Sequence, residues 1–597
     1  MSGGLTWQRL RDLGTSELTE AGDAWHRVSN RADADRTRVD RAMTAKLRET
    51  QEGEAAEAAL HRLRRLSRNF QYLHGECGLV RTTLNGLAAE LAEPRRRLRD
   101  ALVDAAAHGL TIHDDGSVGY PAAEVTDLTG TTRNAPGGTV RGTVLLPLDP
   151  RPLGAPPADF PGFAPPNPGQ ARAQEVADRI ARALRSATEI DTRYARALAA
   201  LKAERGLDVT EATLRDVRAD TAGVRTAADR YLDATVPRDA SPADRRRWWD
   251  GLTDEQRREY LEIAPDLIGG LDGIPAAVRD EANRTRLPLL IDELSRRDDD
   301  DARTKLTALR MIQDKLSEPS NPPMYLLGIG TEGNGRAIIS YGDPDASRNV
   351  SAYVPGLGTK LDEEFVKDTM KRAEDTAIGA RDVDPSSASI IWLGYDAPQL
   401  VDVIARGDAQ RGAPAYNEFM AGLSATNQNA DPHLTAIGHS YGSLTVGTAA
   451  QRPGGIPGAD DIILLGSPGV DAQRAEELGV GKDHVFVGAA DNDPVTHLPS
   501  KDEAAMGFFS GGPAGVLVAR DLFDVGDDDV YFGKDPASGA FDARRFKVDD
   551  GPEMIRERGG FDAHSQYFTP KLDRESAENI ALIVGGKSGE ITTEEHR

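Results

Sequence analysis

The chain has 597 residues, 39% of them hydrophobic, with 72 Lys and Arg against 96 Asp and Glu. That length predicts more than one domain, and a mean hydropathy of -0.47 without an apolar run of about 18 residues argues against a transmembrane helix. Residues 321–597 hold 24 basic and 44 acidic side chains. A surface with that excess of negative charge repels phosphate backbones, so we expect no nucleic-acid partner.

Two features of the sequence bear on location and on cysteine chemistry. The N-terminus is charged from Arg9 onward and lacks the apolar core of a signal peptide, so we expect a cytoplasmic protein. Cys77 is the single cysteine of the sequence, which rules out an intrachain disulfide and a multi-cysteine metal site. We expect Cys77 to behave as a small buried apolar residue.

The first 236 residues are predicted to be mainly helical. Apolar residues recur at three- and four-residue spacings up to about residue 106, and a short hairpin comes next, so residues 1–120 are predicted to form a helical bundle with a hairpin. Residues 121–168 contain 11 Pro and 6 Gly, a composition typical of a linker. Residues 169–236 mix acidic and basic side chains around apolar ones, which predicts an exposed helical hairpin.

Residues 237–320 are predicted to be helices that pack on the C-terminal domain. Trp248, Trp249 and Leu252 begin an apolar set too large to remain in water. The nearest surface in sequence is a sheet that starts at Tyr325, so we expect a cap or brace on that sheet.

Residues 321–597 are predicted to form one α/β domain, because short apolar runs alternate with helical spacers. The runs are 325–329, 337–341, 350–354, 389–393, 434–437, 462–465 and 484–487. From the third run onward, the spacers predict a mostly parallel sheet covered on both faces. The loop between the first two runs is too short for a crossover, so these runs should form an antiparallel hairpin at one edge.

The pentapeptide Gly438–Gly442 matches the pattern G-x-S-x-G. An apolar strand precedes it and a helix of small residues, 444–450, comes after it. A nucleophile elbow is a sharp turn between a strand and a helix. It leaves the hydroxyl of the central serine exposed at the N-terminus of the helix. Ser440 is therefore the candidate nucleophile.

A serine nucleophile needs a histidine base and a carboxylate that orients the base. In chain order the acid and then the histidine are expected after the elbow. Asp493, on the loop after the run 484–487, is the first choice for the acid, and Asp491 is the alternative. Of the histidines beyond the acid, His564 is the candidate base, whereas His497 is expected to be structural or to line the pocket.

The third strand ends in a Pro-Gly-Leu-Gly loop. In a fold with a nucleophile elbow, a backbone N–H of this loop is one of the two oxyanion donors. The candidate donors are the backbone N–H groups of Leu357 and Tyr441. The stretch 328–333 matches the dinucleotide fingerprint, but a strand comes after it where a helix should begin, so we predict a turn. Asp491, Asp493 and His497 could be drawn as a metal site, but all three lie on one short loop and no second element contributes a ligand. We therefore expect no metal and no cofactor.

Taken together, these residues resemble an actinobacterial alpha/beta-hydrolase family of unknown function, in which a helical N-terminal half precedes a hydrolase domain. The matching pieces cover about residues 240–570 and are Trp248-Trp249, Pro265–Gly269, Leu271–Pro275, Arg279–Arg284, Tyr353–Thr359, Trp392–Pro398, the Ser440 elbow and His564–Tyr567. The resemblance implies the alpha/beta-hydrolase fold and a serine hydrolase, and it implies no substrate. The two neighbouring aspartates leave the acid open between Asp493 and Asp491.

The N-terminal helices faintly resemble the WXG-type hairpins of type VII secretion. Tyr72 and Glu76 have the spacing of that pathway's Tyr-x-x-x-Asp/Glu signal, although Trp25 is followed by His26-Arg27 where the motif has x-Gly. Export by such a route is therefore the alternative location. A secretion-linked interaction protein, whose helices bind a protein partner and whose hydrolase fold is a scaffold, is the alternative function to a carboxylic-ester hydrolase.

Overall fold

The computed structural model describes residues 5–126, 131–143, 167–201, 209–399, 406–498, 529–552 and 562–597. The chain divides into two compact units, Met1–Val236 and Pro237–Arg597. Within the described ranges, none of the helices combines the length and the apolar composition that crossing a bilayer requires.

Helices dominate the first unit, and the longest of those described, Glu54–Ala107, has 54 residues. They are α1 (Trp7–Asp12), α2 (Thr15–Thr37), α3 (Ala45–Thr50), α4 (Glu54–Ala107), α5 (Pro168–Ala200), α6 (Glu211–Ala227) and α7 (Asp229–Thr235), with a π-helical segment, Arg38–Thr44, after α2. The hydroxyl of Tyr194 on α5 donates to Glu90 on α4 over 2.7 Å. Arg179, earlier on α5, pairs with Asp104, later on α4, at 3.0 Å. This order of contacts shows that the two helices run antiparallel.

Three residues singled out in the sequence lie on the buried face of α4. Cys77 is 4% exposed, as expected, and burial together with the charge of Glu76 raises the pKa of its thiol to about 11. Tyr72 and Glu76, which have the spacing of the secretion signal, are also buried. On α2, by contrast, Trp25 and Val28 are about half exposed, at 45% and 49%.

Five short strands are also found among the described residues of the first unit. They are β1 (Thr111–Ile112), β2 (Val118–Tyr120), β3 (Ala123–Thr126), β4 (Thr132–Ala135) and β5 (Gly138–Val140). The predicted hairpin is the antiparallel pair β1 and β2, and its turn places Gly116 at a φ of 78°. In the segment expected to be a linker, β5 pairs with β2 and β3 pairs with β4, because β-branched residues such as Val125 and Val140 suit a pleated strand. Residues 144–166 of that segment lie outside the described residues.

The second unit contains ten described α-helices and ten described strands. The helices are α8 (Pro242–Gly251), α9 (Asp254–Ile263), α10 (Pro265–Gly269), α11 (Ala276–Leu294), α12 (Asp300–Ser317), α13 (Met370–Val383), α14 (Gly407–Thr426), α15 (Tyr441–Ala450), α16 (Asp562–Ser565) and α17 (Arg574–Val584). The strands are β6 (Met324–Gly330), β7 (Arg336–Tyr341), β8 (Asn349–Val354), β9 (Ser387–Leu393), β10 (His433–His439), β11 (Ala459–Leu465), β12 (Val485–Gly488), β13 (Asp529–Val530), β14 (Gly533–Lys534) and β15 (Arg544–Arg545).

Eight of these strands form one sheet in the order β15-β12-β11-β10-β8-β9-β7-β6. Every pair from β15 to β9 is parallel, and β6 and β7 form an antiparallel hairpin at one edge. Alternate residues of β9 enter different apolar cores: Trp392 packs with α14 and α15, and Ile391 packs with α13 and α17. The seven predicted strands, the edge hairpin and the two covered faces are therefore confirmed, whereas β15 was not predicted.

Side chains of α11 bind the outer backbone edge of β6. Asp280 accepts the Leu326 N–H at 2.6 Å, and Asn283 donates to the Leu326 carbonyl at 3.0 Å. Arg279 donates to the Leu327 carbonyl at 2.9 Å. An edge strand offers unpaired backbone groups to other chains, so a helix that bonds those groups also blocks edge-to-edge aggregation.

A chain that begins at residue 238 should be monodisperse, whereas one that begins at residue 320 should aggregate. Loss of α8–α12 would leave the β6 edge without its side-chain partners and would expose the apolar residues of β6 and β7 that pack on α11 and α12. Light scattering after size-exclusion chromatography measures this. A monodisperse 320–597 chain with a cooperative melt would contradict the prediction.

Candidate active site

The sharp turn between β10 and α15 holds Ser440 in a strained backbone conformation, with φ 57° and ψ -132°. A non-glycine residue in such a region costs about 1–3 kcal/mol, so the surroundings must enforce it. The Ser440 N–H donates to the Leu465 carbonyl at 2.9 Å. A Cβ on Gly438 would come within 2.5 Å of the Ser443 Cα, and one on Gly442 would collide with the Val354 carbonyl. Both flanking glycines are thus required by close backbone packing.

The loop after β8 lies directly against this turn. A Cβ added to Gly356 would come within 2.7 Å of the Ser440 Cβ and 2.9 Å of the Tyr441 backbone nitrogen. Leu357 is the next residue and is 37% exposed. The segments that carry the two candidate oxyanion donors, Leu357 and Tyr441, are therefore in contact beside Ser440.

Asp493 and His564 form a buried pair. The Nδ1 atom of His564 lies 3.0 Å from Oδ1 and 2.9 Å from Oδ2 of Asp493, and the exposed fractions are 9% for His564 and 0% for Asp493. Burial alone would raise the pKa of the Asp493 carboxyl. The His564 ring and the hydrogen bonds from His564, Tyr567 and the Val495 amide outweigh burial and hold that pKa below its ordinary value. Asp493 is thus an ionised carboxylate beside an imidazole.

Tyr567 is a further partner of this carboxylate that the sequence reasoning did not identify. Its hydroxyl donates to Oδ2 of Asp493 at 2.6 Å and accepts the Ala490 N–H at 3.1 Å. Burial and the neighbouring Asp493 charge raise the pKa of Tyr567 well above its ordinary value. The phenol therefore keeps its proton and remains a donor to Asp493.

Gly466, at the end of β11, was also missed. It has a φ of 49°, and a Cβ there would come within 2.7 Å of Asp493 Oδ2 and 2.8 Å of His564 Nδ1. Gly466 comes directly after Leu465, whose carbonyl binds the Ser440 amide, so one backbone segment touches all three candidate residues. Only a three-dimensional structure reveals this, because Gly466 belongs to no motif around them.

The alternative acid, Asp491, binds other partners. Its Oδ1 atom lies 3.3 Å from a guanidinium nitrogen of Arg545 and 3.3 Å from one of Arg597. The Nε2 atom of His497 lies 2.9 Å from the Asp491 carbonyl, so this histidine forms a hydrogen bond within the loop that carries both aspartates. The structure thus brings His564 to Asp493, whereas Asp491 pairs with two arginines.

Two further expectations concern cofactors. In the stretch 328–333, β6 ends at Gly330 and pairs antiparallel with β7, so the predicted turn is confirmed and no helix begins there. Over the described part of the chain, no three His, Cys, Asp or Glu side chains are grouped as metal ligands would be.

The fold agrees with the family to which the sequence is similar. A sequence model of the alpha/beta hydrolase family matches residues 331–502, a range that includes Ser440 and Asp493. The uncharacterized protein Mb0988c of Mycobacterium bovis is 37% identical over 204 residues, which are 32% of this chain and 75% of that protein. The chain therefore belongs to the alpha/beta hydrolase family, within an actinobacterial group of unknown function.

Two other proteins were also similar. The uncharacterized protein Rv2079 of Mycobacterium tuberculosis is 28% identical over 385 residues, which are 58% of this chain, and the match spans only 56% of that relative's length. An esterase of Pyrobaculum calidifontis of known structure aligns with a TM-score of 0.24 and 12% identity over 50% of this chain and 98% of its own.

Asp493→Asn should lower turnover by about 10⁴-fold, because the amide N–H can donate to Nδ1 of His564 and favour the wrong tautomer, and the neutral amide no longer stabilises the imidazolium. Asp491→Asn should lower turnover far less, since its carboxylate pairs with arginines. Steady-state kinetics of both variants, with melting temperatures as a check on folding, test this. If the two losses are reversed, the acid is Asp491.

Proposed function

We propose that the protein is a serine hydrolase that cleaves carboxylic esters, with Ser440 as nucleophile, His564 as base and Asp493 as orienting acid. The observation that carries the proposal is the buried Asp493–His564 pair beside a strained Ser440 turn. An imidazole bound to a carboxylate at Nδ1 keeps its Nε2 lone pair available for a serine proton. The membership of the alpha/beta hydrolase family supports the same reaction type.

The reaction would proceed through an acyl-enzyme. The Ser440 Oγ attacks the ester carbonyl while its proton passes to His564 Nε2, and Asp493 stabilises the imidazolium. The backbone N–H groups of Tyr441 and Leu357 donate to the oxyanion of the tetrahedral intermediate. His564 then protonates the leaving alcohol, and water, activated by the same histidine, releases the acid and regenerates Ser440.

The first unit has no part in this chemistry in our proposal, since all the residues named lie beyond residue 350. That its helices bind a protein partner stays a prediction, and exposed Trp25 and Val28 on α2 are the surface to examine first. The cytoplasmic location and the type VII-like export route also stay predictions.

Ser440→Ala should abolish both ester hydrolysis and labelling by a fluorophosphonate probe, with little change in melting temperature. The probe phosphonylates only an activated serine. Ser424→Ala, which removes an exposed hydroxyl from α14, is the matched control and should behave as the wild type. Undiminished turnover by purified Ser440→Ala protein would disprove the mechanism.

The substrates to compare are p-nitrophenyl esters of graded chain length and the matched thioesters and amides. We expect the protein to hydrolyse the esters, with the highest turnover at one acyl chain length. A single acyl pocket beside Ser440 would favour the chain length that fills it. Faster cleavage of the amide than of the ester at every length would contradict the assignment to esters.

A further inference from the structure

His439 lies between Gly438 and Ser440, and the proposed reaction assigns it no step. Its side chain is buried, with an exposed fraction of 4%. Its ring stacks on the ring of His564, with centroids 4.5 Å apart and planes inclined by 29°. The residue next to the proposed nucleophile is therefore in direct contact with the proposed base.

The hydrogen bonds of His439 define its tautomer. Its Nε2 atom lies 2.7 Å from the backbone carbonyl of His564, and a carbonyl only accepts, so Nε2 carries the hydrogen. Its Nδ1 atom lies 3.2 Å from Nη1 of Arg372, and a guanidinium only donates, so Nδ1 presents its lone pair. The same Nη1 atom also donates to the Tyr353 hydroxyl at 3.0 Å.

The surroundings also keep this ring neutral. Burial, together with the charges of His564 and Arg372, lowers the pKa of His439 well below its ordinary value. A neutral ring does not repel the imidazolium that His564 becomes during the reaction. Arg372 itself is held over the Phe568 ring, 5.9 Å from the centroid to the guanidinium carbon.

We propose that His439 is a positioning residue for His564, and that Arg372 fixes the tautomer in which His439 holds the His564 backbone. This inference rests on the proposed function, because it assumes that His564 is the base. His564 belongs to α16, a helix of only four residues, whereas His439 ends the central strand β10. One hydrogen bond thus ties the turn of the base to the strand of the nucleophile, across 125 residues of sequence.

The hydrogen bond from His439 to the His564 backbone should affect the rate of catalysis. Proton transfer from Ser440 to His564 requires the two groups to be held in hydrogen-bond reach, and a misplacement of about 1 Å can lower the rate about 100-fold. Because Ser440 is covalently next to His439, the bond from His439 fixes the base relative to the nucleophile. Loss of this bond should therefore reduce kcat and leave substrate binding unchanged.

Two substitutions at His439 distinguish the contribution of its hydrogen bonds from that of its stacked ring. His439→Phe keeps an aromatic ring on His564 and loses both hydrogen bonds. His439→Gln loses the ring, but its amide can donate to the His564 carbonyl and accept from Arg372. Arg372→Met removes the donor to Nδ1, and Arg381→Met is the matched control, because Arg381 also lies on α13 and binds the Ser387 carbonyl at 3.2 Å.

With the full-length protein and the best p-nitrophenyl ester, His439→Phe and Arg372→Met should lower kcat about 10- to 100-fold, with KM within about twofold of the wild-type value. The fluorophosphonate labelling rate should fall in parallel, since labelling uses the same base. His439→Gln should retain kcat within about threefold, and Arg381→Met should match the wild type.

Two results would overturn the inference: a kcat for folded His439→Phe within about twofold of the wild-type value, or a loss in His439→Gln as large as in His439→Phe. If His439→Phe does not fold, equal kcat values for Arg372→Met and Arg381→Met would overturn it. Failure of the wild-type protein to hydrolyse esters and to react with the probe would instead refute the proposed function. The two failures are therefore distinguishable.

Discussion

The strained backbone of Ser440 is the constraint on which the arrangement of the second unit depends. Such a conformation persists only where the surroundings over-determine it. Here Gly442 allows α15 to lie against the end of β8, and Gly438 allows β10 to lie against the start of α15. The Leu465 carbonyl, at the end of β11, binds the Ser440 amide. Gly466 comes directly after Leu465, and a Cβ on it would meet Asp493 and His564, so the ends of β8, β10 and β11 come together around this one turn.

Much of the fold could be predicted because its strands are buried on both faces and so read as continuous apolar runs between helical spacers. The strand of the main sheet that was missed, β15, consists of Arg544 and Arg545, which carry no apolar signal. Arg545 is nonetheless buried, because its guanidinium binds backbone carbonyls of other segments. The strands within residues 121–143 were missed for a related reason, since the prolines and glycines between them dominate the local composition.

The proposed nucleophile, acid and base could be named from the sequence because a motif marks the first and chain order restricts the others. The choice of Asp493 over Asp491 stays a prediction, and the pairing of Asp491 with arginines is a physical reason for it. Tyr567 and Gly466 could not be found in this way. Tyr567 acts on a carboxylate 74 residues away, and Gly466 matters only because two side chains occupy the space of its missing Cβ.

The edge hairpin also connects the α11 brace with the proposed oxyanion loop. Arg336, which begins β7, binds both carboxylate oxygens of Asp396, at 2.7 and 2.9 Å. Two residues later, the Pro398 carbonyl accepts the N–H of Gly358, the residue after Leu357. A continuous series of bonds thus runs from α11 through β6 and β7 to the loop beside Ser440. The polar residues Asp280 and Asn283, on the face of α11 that meets the sheet, are thus the first links between these helices and the loop that carries a proposed oxyanion donor.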